Sequence, residues 1–475
     1  MRKKFYITTA IPYVNAAPHV GHALEFVQAD TIARVHRLLG DETCLLSGGD
    51  ENALKNVQAA EKAGIPLQEF IDQYSKFFEQ LATNLHVQFD VFQKGSDQKN
   101  HYPASQKLWK LCEKDIFKKS YEGLYCVGCE QYYTPDELDE HGECFEHPGK
   151  KLELVKEENY FFALSKYQKQ LIDLISSDTI RVVPETRKNE MLSFLKQPLQ
   201  DISISRSNER TKNWGVPVPG DNTQRIYVWF DALNIYQSGI GFGWDENQYN
   251  KWWPADVHVI GKGITRFHAI YWPAFLLSAG LALPKTILVH GYFTVNGQKM
   301  SKTIGNIIDP NIFIEKYGAD SLRYYFLREL PTFADGDFSE RRFKELYNAD
   351  LANGLGNLIA RVAKLSETIE FQTIKRSYTD VYTGAYKKSI EEFRLHDAIA
   401  CVWDTIKTTD QYINDNKPWT LSGDELQKIL TPAIQNIRTV ATQLQPFLPT
   451  TAEKILKQFA GPTITSEAPL FPRIL

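Results

Sequence analysis

Apolar residues are spaced in two different ways along this chain, and the change falls near residue 345. Up to about residue 115, short apolar runs alternate with stretches of helical spacing. Phe5-Tyr6-Ile7-Thr8-Thr9-Ala10 reads as a strand, Ala23-Leu24-Glu25-Phe26-Val27 as helix, and Thr43-Cys44-Leu45-Leu46-Ser47 as a second strand running into Gly48-Gly49-Asp50. This alternation predicts the opening of a doubly wound α/β sheet, which binds ligands in turns at the carboxyl ends of its strands. From 116 to 200 the pattern turns irregular, with clustered Cys, Tyr and Gly, and reads as an insertion between two halves of the sheet. The alternation resumes by Ile226 and continues to His290. Beyond about 345 strand signals vanish, and Leu351, Leu355, Leu358, Ile359, Val362 and Leu365 recur at helical spacing, as do the residues from Ile429 to Leu444. That is an α-helical bundle. The expected division is 1–115 and 201–290 for the two halves of the sheet, 116–200 for the insertion, 291–345 for a connecting region and 346–475 for the bundle.

Two short motifs frame the α/β part. Pro18-His19-Val20-Gly21-His22 stands between the first strand and the first helix, and Lys299-Met300-Ser301-Lys302-Thr303 lies far downstream. A strand-to-helix turn presents unpaired backbone N–H groups and the positive end of a helix dipole, which suits phosphate. Pro18 fits the first helical turn, where its missing N–H costs nothing. His19 and His22, three positions apart, can point from one helix face toward a bound anion. The two lysines can bring cations to the same phosphates.

Cysteine spacing adds a metal. Cys126-Val127-Gly128-Cys129 and Cys144-Phe145-Glu146-His147 form two knuckles, each placing two soft ligands on one side of a tight turn. Three thiolates and an imidazole close a tetrahedron suited to one Zn²⁺, and with no open position the site is structural. His141 could compete with His147, but its spacing from Cys144 points the other way. Cys44, Cys112 and Cys401 read as buried packing. The 475 residues are 43% hydrophobic and 24% charged, with a net charge of −4 and pI near 6.3, so nucleic-acid binding would have to use local basic patches. No run is long and apolar enough to span a membrane. The basic start Met1-Arg2-Lys3-Lys4 resembles a signal-peptide n-region, but Pro12, Asn15 and Pro18 break the stretch that follows, so a buried strand and a cytoplasmic location are expected.

The paired motifs resemble the HIGH and KMSKS signatures of class I aminoacyl-tRNA synthetases, whose catalytic domain is Rossmann-type. Further stretches resemble the methionyl-tRNA synthetases: Ala10-Ile11-Pro12-Tyr13-Val14-Asn15, Tyr227-Val228-Trp229-Phe230-Asp231-Ala232-Leu233, Val259-Ile260-Gly261-Lys262, and His290-Gly291-Tyr292 with Asn296-Gly297-Gln298. The resemblance implies a methionine–tRNA ligase that makes methionyl-adenylate and pyrophosphate from methionine and ATP, then loads tRNA(Met), initiator included. It assigns the methionine ammonium to Asp50 and the backbone of Ile11. The side-chain slot falls to Tyr13, Trp229, Ala232, Leu233, Tyr236, Ile264, His268 and Trp272. ATP falls to His19, His22, Gly261, Gly263, His290, Lys299 and Lys302, with Mg²⁺ carried by the phosphates. His19, His22, Lys299 and Lys302 are the catalytic set. Asn357, Arg361 and Trp419 match the family's readers of the anticodon, and the zinc knuckle matches its connective insertion. The family's appended tRNA-binding β-barrel has no counterpart here, so a monomer is expected.

Four positions depart from the family pattern: Val20, Thr303, Asn52 after Asp50-Glu51, and Gly263. Relatives often carry at the last an aspartate that holds the ATP ribose. Two rival readings stay open at this point: a class I synthetase for leucine, valine or cysteine, since Trp214-Gly215-Val216-Pro217-Val218-Pro219 resembles a stretch they share, and a catalytically silent tRNA-binding paralogue.

Overall fold

The structure is a computed structural model describing residues 2–126, 131–133, 137–144, 149, 151–300, 305–374 and 376–474, with backbone alone at Tyr121, Gln131, Phe293 and Lys299. Six strands make the central sheet: β1 (Lys4–Thr8), β2 (Glu42–Gly49), β3 (Val91–Lys94), β4 (Arg181–Val183), β5 (Val257–Gly261) and β6 (Thr286–His290). Their order is β3-β2-β1-β5-β6-β4, and every pairing is parallel. β2 and β3 lie on one side of β1, and β5, β6 and β4 on the other, so the switch of direction falls between β1 and β5. In such sheets ligands bind in the crevice beyond the carboxyl ends of the strands at that switch.

Alternate residues of the strands feed two cores, as the period-2 geometry of a strand requires. Ile7, Leu45, Val257, Val259 and Leu288 face the helix α1 (Val20–Leu38), whereas Tyr6, Cys44, Leu46, Ile260, Ile287 and Val289 face Trp109, Phe230 and Phe275. Strands buried on both faces explain the unbroken apolar runs of the sequence. The first core continues through helix Ala319–Arg328 into helices Leu395–Asn416, Gly423–Leu444 and Pro449–Gln458, so the helical region shares one apolar core with the sheet domain. Arg323, fully buried, stands at that junction.

The stretch 116–200 is not one continuous excursion. Ile116–Cys126, Gln131–Tyr133, Glu153–Phe162 and Ile202–Ser203 form a separate antiparallel sheet, but β4 returns from this stretch to the edge of the main sheet beside β6. Val182 and Val183 bury themselves there, an apolar pair too short to stand out by pattern. The expected strand at the N-terminus is present as β1, near the centre of the sheet. Among the described residues no helix is long and apolar enough to cross a membrane.

Candidate active site

The signature histidines meet through a helix cap. α1 begins at Val20 with His19 as its N-cap, so Pro18 lies before the cap and outside the first helical turn where the sequence had suggested it. The reason is local: His19 itself satisfies an orphan amide, its Nδ1 accepting from Gly21 N–H at 3.0 Å, while His22 Nδ1 accepts from His19 N–H at 3.1 Å. This reciprocal bonding is a capping box built from two imidazoles. Each Nδ1 is therefore an acceptor, which leaves Nε2 of each ring as the protonated nitrogen. Burial and the neighbouring His19 hold the His22 pKa well below the usual histidine range, so its ring is neutral. The ring centroids lie 4.0 Å apart. Gly21 is needed under them: a Cβ there would come within 2.7 Å of His19 Cε1.

The downstream motif approaches the same helix start. Met300 Cε would lie 3.9 Å from a Cβ at Gly21, and Val20 N–H donates to Ile308 O at 3.2 Å. The residues on either side of Ser301–Ile304 thus bracket the histidines, although Lys302 lies outside the described residues, as does the side chain of Lys299. One group that pattern reading missed ties the crevice together. Glu25, one turn into α1 and buried, accepts from Ala10 N–H at 2.8 Å and lies 2.9 Å from His290 Nε2, at the end of β6. A carboxylate amid the apolar run Ala23–Val27 was its sequence signal.

The apolar side of the crevice is lined by two connected groups of rings. Tyr13 forms a parallel bridge with Asp50, stands edge-on to Trp229 at 6.4 Å, and carries the Lys55 ammonium 3.2 Å from its ring centroid. Trp229 in turn stacks on Phe267 at 3.7 Å. Next to Phe267, His268 Nδ1 donates to Ile264 O at 2.9 Å, so its Nε2 must accept the Tyr236 O–H at 2.7 Å. Burial lowers the His268 pKa to about 4, which keeps this tautomer neutral. The hydroxyl of Tyr236 thus fixes His268 instead of pointing alone into the slot. Trp272 is fully buried and stands 6.4 Å from Tyr236, Ala232 and Leu233 are buried on helix Val228–Leu233, and Ile11 is half-buried. Beneath them Thr8 Oγ1 lies 2.7 Å from Nδ1 of His258, a buried histidine the sequence did not single out.

Asn52, the unfamiliar residue after Asp50-Glu51, donates to Asp231 Oδ2 at 2.6 Å and to Gly95 O at 2.7 Å. The carboxylate of Asp231 also lies 2.8 Å from His101 Nε2, so the turn is held by a buried polar network.

Away from the crevice, Cys126 and Cys144 are both buried, and the hairpin pairs Leu124 with Tyr133 and Cys126 with Gln131. Cys144 Sγ lies 3.4 Å from the hydroxyl of Tyr133, a residue of the hairpin that also carries Cys126. Cys129 and His147 lie outside the described residues. The side chain of His141 is 74% exposed and lies 3.7 Å from Glu140 Oε1. In the helical region Asn357 is exposed, and Arg361 donates to Asn414 Oδ1 at 2.7 Å and to Asp410 Oδ1 at 2.6 Å. Trp419 is 54% exposed, just past a left-handed turn at Lys417, and so is no core residue.

A switch-point crevice with a helix start capped by two histidines, followed by a helical domain, is the architecture of a class I aminoacyl-tRNA synthetase. Residues 5–363 match the family described as tRNA synthetases class I (M), and residues 376–474 match the anticodon-binding domain of tRNA ligases. The chain belongs to the methionyl-tRNA synthetase family. It is 40% identical to a methionine–tRNA ligase of Thermotoga maritima over 96% of this chain and 75% of that one, and 38% identical to one of Brucella suis over 99% and 98%. Its fold matches Mycobacterium tuberculosis methionyl-tRNA synthetase in complex with methionyl-adenylate at a TM-score of 0.91, with 35% identity over 99% of this chain and 100% of that one. The apo form of that enzyme matches at 0.84, with 31% identity.

Proposed function

We propose that this chain is a methionine–tRNA ligase, and that the histidine-capped start of α1 at the switch point carries its chemistry. A methionine carboxylate oxygen attacks the α-phosphorus of ATP, the bond to the bridging oxygen breaks, and pyrophosphate leaves. A terminal ribose hydroxyl of tRNA(Met) then attacks the carbonyl carbon and AMP leaves. Neither step needs a protein nucleophile, so the barrier falls through alignment and charge stabilisation. Nε2–H of His19 and His22 donates to the phosphates, and Lys299 and Lys302 stand against the charge developing on the leaving pyrophosphate. Mg²⁺ rides on phosphate oxygens. Asp50 and the Ile11 backbone hold the ammonium, while Tyr13, Trp229 and Trp272 shape the slot with Ala232, Leu233, Tyr236, Ile264 and His268. A thioether gains roughly 0.3–1.5 kcal/mol per aromatic contact. Gly261, Gly263 and His290 line the nucleoside side. We also propose that the protein acts as a monomer, and a translation enzyme of this kind belongs in the cytoplasm.

Asn357, Arg361 and Trp419 are proposed to read the anticodon. Arg361 is pre-positioned by Asp410 and Asn414, and the exposed indole offers a stacking face. Methionine-dependent exchange of pyrophosphate into ATP tests the first half-reaction, and aminoacylation of tRNA(Met) the second. Trp419→Ala should keep exchange nearly intact and lower tRNA charging about tenfold to a hundredfold, the loss of one stacked base at roughly 1–3 kcal/mol. Exchange with leucine or valine in place of methionine would refute the substrate, and normal charging by Trp419→Ala would refute its role.

Cys126, Cys129, Cys144 and His147 are proposed to hold one structural Zn²⁺. Two buried thiols, one on this hairpin and one against it, fit such a site, whose role is to cross-link the insertion. Elemental analysis of the purified protein should find one zinc per chain, and Cys126→Ser with Cys144→Ser should lose it. A metal-free protein with an intact fold would sink the assignment.

A further inference from the structure

The nucleoside side of the crevice has an unusual filling. A Cβ built on Gly263 would lie 2.0 Å from the Tyr292 hydroxyl oxygen and 3.2 Å from Cζ, so the phenol occupies the space a side chain at 263 would need. Gly263 N–H donates to that hydroxyl at 2.8 Å. At Gly261 a Cβ would meet Tyr292 Cε1 at 3.1 Å and His290 Cε1 at 3.5 Å, so the ring packs against the turn that ends β5, beside the end of β6. Its backbone is anchored from behind. Tyr292 N–H donates to Asp335 Oδ1 at 2.9 Å, Gly336 N–H donates to Tyr292 O at 3.0 Å, and Asp335 pairs with Lys262, whose ammonium sits 5.1 Å from the Tyr292 ring centroid. Yet Tyr292 is 40% exposed.

With the phosphates at His19 and His22 and the amino acid among the rings around Tyr13, the sugar of the nucleotide has the ends of β5 and β6 left to lie on. We propose that Tyr292 is a ribose-binding residue of this enzyme, its hydroxyl positioned by Gly263 N–H and bonded to a hydroxyl of the ATP ribose. Gly263 is the residue that makes room for it. This inference rests on the adenylate-forming reading above. A phenol both donates and accepts, so it can meet either partner of a vicinal diol. A glycine and a tyrosine 29 positions apart in the chain thus do together what one acidic side chain at 263 would do alone.

The test is methionine-dependent pyrophosphate exchange with ATP, 2′-deoxy-ATP and 3′-deoxy-ATP. The wild type should prefer ATP over at least one deoxy analogue by about tenfold in kcat/KM, the value of one hydrogen bond to a neutral group. Tyr292→Phe should bring that preference close to one. Gly263→Ala, which displaces the phenol, should do the same, while the KM for methionine stays unchanged. Gly263→Asp combined with Tyr292→Phe should regain the preference, because removing the hydroxyl clears the nearest obstacle to the new Cβ. A wild type indifferent to the deoxy analogues, or a Tyr292→Phe variant that slows all three nucleotides equally and keeps the preference, would overturn the proposal. Absence of any exchange by the wild type with methionine and ATP would instead overturn the functional reading itself.

Discussion

Replacing His22 by alanine should slow methionyl-adenylate formation by about 10²–10³-fold, the usual loss when one pre-positioned donor to a developing oxyanion is removed. Methionine affinity should hardly change. The ring is neutral because burial and His19 depress its pKa, and its Nδ1 is committed to the His19 amide, so Nε2–H is the one donor it can aim at phosphate. An interaction that strengthens as charge builds on the transferring group lowers the barrier without tightening the ground state. His22 also completes the helix cap, so alanine removes two things at once. His22→Gln separates them, since glutamine is an ordinary third-position partner in a capping box. It should recover the thermal stability lost by the alanine variant while leaving most of the rate defect. Single-turnover adenylation measured beside equilibrium methionine binding decides the matter. A weakened methionine affinity with an unchanged single-turnover rate would remove His22 from the phosphate site.

The second large effect is expected at Arg323, where the sheet domain meets the helical domain. Its guanidinium is fully buried and pairs with Asp30 of α1 at 2.8 Å. It also donates to the carbonyls of Leu85 at 3.2 Å, Pro446 at 2.9 Å and Phe447 at 2.8 Å, the last two in the turn before helix Pro449–Gln458. One side chain thus ties the helix that carries His19 and His22 to the anticodon-binding region. Arg323→Met keeps the volume but leaves three buried carbonyls without their donor and Asp30 with only Arg34 and the Gln88 N–H, and breaking a buried pair in this way costs about 3–5 kcal/mol. Thermal unfolding of the variant should show a lowered midpoint, with the helical region melting before the sheet domain. Asp30→Asn should be costly too, since it keeps the shape but leaves the buried Arg323 guanidinium beside the Arg34 cation without the carboxylate that both now share. A double-mutant cycle over the two positions should return a coupling of about 0.5–3 kcal/mol. Additive losses would mean that Arg323 holds the carbonyls alone and that Asp30 is incidental.

How much of the site could be read along the chain depended on how local each interaction is. His19, Gly21 and His22 lie within one turn, and the bonds that set their tautomers are between residues two and three apart. A motif of that size is nearly a structure in itself. Even there the detail differed, because the chain prefers to cap with the His19 ring and leaves Pro18 outside the helix. Trp419 carried no periodic signal, and only its exposure separates a candidate stacking surface from a core aromatic. Tyr236 and His268 were legible as ring-bearing positions, but not as donor and acceptor to each other, since that needs the turn that sends His268 Nδ1 to Ile264 O.

What the sequence determined by itself was therefore the alternation of buried runs and helical spacing, the two signature motifs with their order, and the residue types available for zinc, phosphate and thioether. All of these follow from interactions a few residues long. Only the tertiary structure decided which distant groups meet. Parallel pairing of β1, β5 and β6 sets Glu25 against His290 across 265 positions, puts the Tyr292 hydroxyl in the space that Gly263 leaves open, and packs α1 so that Asp30 finds Arg323. The physical reason is the same in each case. A hydrogen bond or ion pair between remote residues leaves no periodic trace in the chain, and its partner is chosen by the register of strands and by the packing of buried faces.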